Sequence, residues 1–121
     1  MEQFLKLREG FFKDETIREI ESLPDGKAIV YVYIRLMILA TENNGILTYQ
    51  TSQKKEFYRK LSKEIIVEPD GIKNALKILK RYGLVEIIED QTYSGTHIRF
   101  PYVAENRGIE TNLFRRKEKK L

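Results

Sequence analysis

The chain of 121 residues has no cysteine and a single histidine, His97. Without cysteine there is no disulfide, no thiolate zinc site and no cysteine nucleophile. With one imidazole, a two-histidine metal site cannot be assembled within one chain. Long hydrophobic runs are also missing. The longest, Ala28–Ala40, is interrupted by Arg35 and falls short of the about 20 residues that cross a bilayer. The opening residues MEQFLKLREG lack the apolar centre of a secretory signal. The carboxylates are scattered, with no nucleophile–base pair and no glycine loop to cradle a phosphate. The expectation is a protein with no enzymatic activity, no metal and no cofactor. The lack of thiols fits a reducing compartment, and the expected location is the cytoplasm.

What is present suits one soluble domain. Hydrophobic residues make up 41 % and charged residues 33 %, enough for a core and for solubility. The net charge of +4 is unevenly spread. Residues 54–82 carry nine Lys/Arg against four Asp/Glu, and residues 105–121 carry six against three. Residues 1–53 and 83–104 are each net −2. A basic centre and a basic tail attract a polyanion by displacing its counterions.

Local signals divide the chain. After a brief alternation at Phe4–Leu7, Asp14 is an N-cap for a short helix, Glu15–Ser22. Pro24-Asp25-Gly26 is a turn, and Asp25 can cap a long helix over about 27–42. That segment is apolar on almost every side, which places it at the centre of the core. Asn43-Asn44-Gly45 stops it, and Ile46–Thr48 is β-like. Thr51 or Ser52 can cap a helix over about 53–63, where Phe57, Leu61 and Ile65 form a narrow apolar stripe. The remaining surface of that helix is Lys, Arg and Glu, and Glu56 with Lys60 has salt-bridge spacing.

Pro69 opens the next helix, which runs to Tyr82 and ends at Gly83. Ile72, Ala75, Leu76 and Leu79 recur at helical spacing, while Asp70, Lys73, Asn74, Lys77, Lys80 and Arg81 share the opposite face. Leu84–Glu89 and Thr96–Phe100 are strands around the polar loop Asp90–Gly95, with Ile98 and Phe100 inward and His97 and Arg99 outward. The tail from Ala104, ending RRKEKKL, is expected to be partly disordered. The domains are thus 1–103 and a basic tail or linker, 104–121.

Helix, short strand, helix, turn, helix, strand, loop, strand is the order of an α+β winged helix-turn-helix. A helix of about 10–12 Å diameter fits a B-DNA major groove about 12 Å wide. Lys73, Asn74 and Lys77 then face base edges, since Asn pairs with adenine and Lys donates to guanine. Lys80 and Arg81 fall nearer phosphates. Lys54, Lys55, Arg59 and Lys60 on the preceding helix suit phosphate positioning, as do Thr92, Tyr93, Ser94 and Arg99 on the wing. An ordinary solvated helix face and salt-bridged surface remain the plain alternatives. Tyr31 and Tyr33 pack in the core or contribute to a homodimer, which is expected through the long helix or through the N-terminal segment.

The segments FLKLREGFFKDETIREIESLPDG, NNGILTY and GIKNALKILKRYGLVEI resemble the N-terminal domain of phage replisome organisers and of related plasmid replication initiators. The resemblance covers roughly residues 3–100. It implies a winged-helix domain that binds repeated origin sites in double-stranded DNA, commonly as a dimer, to start replication. The chain is short for a full initiator, so the part that recruits replication proteins is expected outside it. The competing expectations are a transcriptional repressor on the same fold and a primosome-type protein-interaction adaptor.

Overall fold

The computed structural model describes residues 3–90, 92 and 94–109. Its elements are β1 (Gln3–Leu5), α1 (Glu15–Glu21), α2 (Gly26–Ala40), β2 (Ile46–Gln50), α3 (Lys54–Ile65), α4 (Pro69–Arg81), β3 (Glu86–Asp90), β4 (Gly95–Arg99), α5 (Pro101–Asn106) and β5 (Arg107–Ile109). Short 3-10 turns cover Phe11–Lys13, Thr41–Asn43 and Thr51–Gln53. This is the α+β winged helix-turn-helix order, with two additions at the chain's ends.

Asp14 does cap α1: its Oδ1 accepts from the Thr16 and Ile17 amides at 2.9 and 3.2 Å. Asp25 stands at the N-cap of α2 in the left-handed conformation, φ 58°, and makes no side-chain cap bond. Gly26 follows because α1 ends against it. A Cβ there would overlap the Ile20 carbonyl. Ile29, Val30, Val32, Tyr33, Leu36, Met37 and Ala40 of α2 are buried. This helix is the centre of the core, packing on α1, α3 and α4.

Helix α3 starts one or two residues later than a Ser52 or Thr51 cap requires. Thr51 and Ser52 lie in the 3-10 turn, and the N-cap is Gln53, without a side-chain bond. The buried stripe is Tyr58, Leu61 and Ile65 rather than Phe57, Leu61 and Ile65. Positions i, i+3 and i+7 stay on one helical face, whereas repeated steps of four drift around it. Phe57 sits at the margin and stacks on Tyr49 of β2, with ring centroids 4.5 Å apart.

Helix α4 ends on Gly83 (φ 76°). Its amide donates to the Lys80 carbonyl and the Leu84 amide donates to the Leu79 carbonyl, which is a Schellman stop. Strand β3 begins two residues later than the apolar run, at Glu86, because Leu84 and Val85 serve that stop and the core. The antiparallel sheet has the order β2-β4-β3, and Gly95 is opposite both Gln50 and Asp90. Ile98 and Phe100 are buried.

The sequence boundary at residue 103 falls within ordered structure. Ala104–Ile109 completes α5 and forms β5, antiparallel to β1. Val103 is buried, and Asn106 is buried with its side-chain amide donating to the Tyr102 carbonyl. Lys6 donates its amide to the Asn106 carbonyl, and Arg8 donates its amide to the Tyr102 hydroxyl. The partners are about a hundred residues apart in the chain, so no local pattern announces them. The expected tail beyond Ile109 lies outside the described residues.

Candidate nucleic-acid interface

The apolar side of α4 is hidden completely. Ile72, Ala75 and Leu79 have no exposed surface and Leu76 is 2 % exposed. The six polar positions of the opposite face, Asp70, Lys73, Asn74, Lys77, Lys80 and Arg81, are all exposed. They run along about 16 Å of helix at 1.5 Å per residue. The first turn carries Asp70 and the last carries Lys80 and Arg81, both favourable to the helix dipole.

Lys73 is the most constrained of these. Its Nζ lies 5.4 Å from the centroid of the Tyr58 ring, a cation–π distance. Burial first, then the neighbouring Tyr49, raises the Tyr58 hydroxyl to about 12, so that ring stays neutral. Lys73, Asp70, Lys55 and Arg59 border one cleft of about 340 Å³ between α3 and the first turn of α4. Asn74 and Lys77 have no side-chain hydrogen bond or ion pair within the described residues.

The basic set on α3 divides around the helix. Lys55 and Arg59 turn toward α4. Lys60 turns to the other flank with Lys63, beside β2, and Arg59 reaches both sides. Lys54 is exposed at the first position of the helix. The ion pair on this helix is Glu56 with Arg59 at 3.3 Å, not Glu56 with Lys60. Both side chains are more than half exposed, so it adds little to stability.

The wing is short, five residues in each strand. Its loop is held beside the start of the helix-turn-helix, where the Thr51 amide donates to the Ser94 carbonyl at 2.8 Å. Asp90 accepts from the Thr92 amide at 2.9 Å. Thr92 and Ser94 are exposed at the tip, whereas Tyr93 lies outside the described residues. Arg99 is not with them. It stands at the far end of β4, five residues or about 17 Å from Ser94, and donates to Glu86 at 3.0 Å. His97 faces Thr48, Nδ1 to Oγ1 at 3.0 Å, and its Nε2 is 3.7 Å from Asp90. Glu89 and Asp90 stand at the loop end of β3, so among the described residues the tip of the wing offers hydroxyls, amides and carboxylates rather than cations.

The positive surface is therefore α4 together with the first turns of α3, with the wing loop at one end. Strand periodicity could not reveal the placement of Arg99. Tyr58 as a platform for Lys73 was hidden by its position beside Phe57. Among the described residues, no helix is long and apolar enough to cross a membrane. Neither the search of curated proteins nor that of solved structures found a match. The family model described as the N-terminal phage replisome organiser matches residues 4–120, nearly the whole chain, and the chain belongs to that family.

Proposed function

We propose that this chain is a binding module, not an enzyme, that recognises double-stranded DNA where replication of a phage or plasmid begins. The observation that carries the reading is the two-sided character of α4. Its aliphatic side is anchored on the core, so its position is rigid, and its amide and ammonium groups point outward. Rigid presentation of donors is what base readout in the major groove requires. Asn74 and Lys77 read base edges, and Lys73, steadied over Tyr58, works at the same level of the groove. Lys80, Arg81, Lys54, Lys55 and Arg59 neutralise phosphates, and Thr92 and Ser94 at the wing loop add neutral contacts to the backbone. Two copies acting together favour repeated or paired sites one or more helical turns apart. Membership of a replisome organiser family supports replication as the setting.

Fluorescence anisotropy with duplexes carrying repeats from the replicon, and with scrambled duplexes, tests this. Asn74→Ala and Lys77→Ala should each cost roughly 1–3 kcal/mol on the specific duplex and much less on the scrambled one. Arg59→Ala should weaken both alike and reduce the salt slope by about one. A double variant at 74 and 77 that binds the specific site like the wild type would refute the recognition face.

A further inference from the structure

The flank of α3 that turns away from α4 forms a second basic surface with different chemistry. A groove of about 400 Å³ runs between this flank and β2. Tyr49 and Phe57, stacked at 4.5 Å and 26°, form its apolar wall, and both are half-buried. Arg59, Lys60 and Lys63 line its outer side, with Glu56 the one acid there. Glu56 is engaged by Arg59 at 3.3 Å. Lys60 and Lys63 are exposed and have no ion pair within the described residues. Strand β2 is an edge strand, since the sheet order is β2-β4-β3. The outer edge of β2 therefore pairs with no other strand among the described residues.

We infer that this groove binds an unpaired nucleic acid strand, with a base against the Tyr49–Phe57 pair and the adjoining phosphates on Lys60 and Lys63. Aromatic rings beside a row of cations are the chemistry of single-strand binding, because every base has a π-face and every linkage a charge. A duplex cannot use the aromatic wall. Its bases are stacked inside and present only their edges, so an aromatic wall inside a groove has nothing to stack on. The volume lies in the range of about 300–1,000 Å³ that holds small ligands, suited to nucleotide units and far too narrow for a double helix. The inference is independent of the α4 reading, since Tyr49, Phe57, Lys60 and Lys63 lie off the α4 face.

The test uses the full chain and a fluorescein-labelled oligothymidylate of about 12 nucleotides, which has no secondary structure, with affinity measured by anisotropy across a salt series. The wild type should bind it. Phe57→Leu should weaken it at least about fivefold, the low end of one lost stack, with little change in salt slope. Lys63→Gln should reduce the salt slope by about 0.7, the value for one phosphate on a single strand. Both variants should bind a mixed-sequence duplex as the wild type does. Lys63 is exposed, so its variant reports even where Phe57→Leu folds poorly. Oligothymidylate binding that neither variant changes, or an equal loss on duplex and single strand, overturns the inference. So does a wild type that ignores the oligonucleotide, which would leave the groove and its open strand edge to a protein segment.

Discussion

Ile66 is the residue that most plainly breaks a local rule. It is the C-cap of α3 with φ 55°, a left-handed conformation in which a β-branched side chain is an outlier. The Ile66 and Val67 amides both donate to the Ser62 carbonyl, so a left-handed residue ends α3 as Gly83 ends α4, with a different bond pattern. The side chain is 86 % exposed, so burial does not offset the strain. Ile66→Gly removes the Cβ clash at the cost of extra freedom in the unfolded chain. The expected net effect is a stabilisation of about 1 kcal/mol, or roughly 4 °C in Tm for a domain of this size. Thermal unfolding followed by circular dichroism checks it. A lower Tm would mean that the Ile66 side chain supports the turn through a contact. Lys73 is a contrasting case at the same scale, a residue whose surroundings were not legible in sequence. Its place on the outer face of α4 follows from spacing, but its perch over Tyr58 depends on how α3 packs.

Arg35 joins two elements. In the sequence it only interrupts the apolar stretch of α2. In the fold its guanidinium donates to the Tyr31 hydroxyl at 2.9 Å and to the Glu64 carbonyl at 3.1 Å. It thereby places a cation on the last turn of α3, where the helix dipole is negative. Arg35→Leu keeps the apolar stem but leaves that carbonyl without its partner, and should cost about 1 kcal/mol. Urea titration reads the loss, and hydrogen exchange should show faster opening at the end of α3 than in α2. Equal exchange throughout would show that the bond contributes nothing to α3. Helices α1, α2 and α4 were legible because each has its own spacing, cap or stop within a dozen residues: Asp14 for α1, Gly83 for α4, the hydrophobic stretch for α2. What was not legible is pairing over distance. The β1–β5 ribbon and α5 depend on contacts between the chain's two ends, and Arg99 looked like a wing cation until Glu86 was found opposite it. The split of the α3 cations between two flanks likewise depends on which neighbour, α4 or β2, each one meets.

At the scale of the molecule, a column of rings joins segments that are far apart in sequence. Tyr33 of α2 lies parallel to Phe11 at 6.2 Å and to Phe100 at 6.3 Å. Phe11 in turn meets Tyr102 of α5 edge-on at 5.5 Å. The column ties the N-terminal segment, the central helix and the chain after the sheet into one unit. It also places an ionisable group in the core. Burial, followed by the nearby Tyr102 and Asp14, raises the Tyr33 hydroxyl well above its ordinary value of 10.0. Burial likewise raises Tyr58 to about 12. Both groups therefore hold their protons more tightly folded than unfolded. Stability from this source is complete below about pH 10. Above that, the unfolded chain ionises first, and stability falls as pH climbs through the folded values. The slope should approach about 1.4 kcal/mol per pH unit for each tyrosine still protonated in the fold. Urea midpoints between pH 8 and about 11.5 test this, the range chosen to straddle the ordinary tyrosine value. Tyr58→Phe should flatten the alkaline fall by one tyrosine's share while leaving the midpoint near pH 8 little changed. Wild-type and variant curves that fall in parallel would show that Tyr58 ionises in the folded protein as freely as in the unfolded chain.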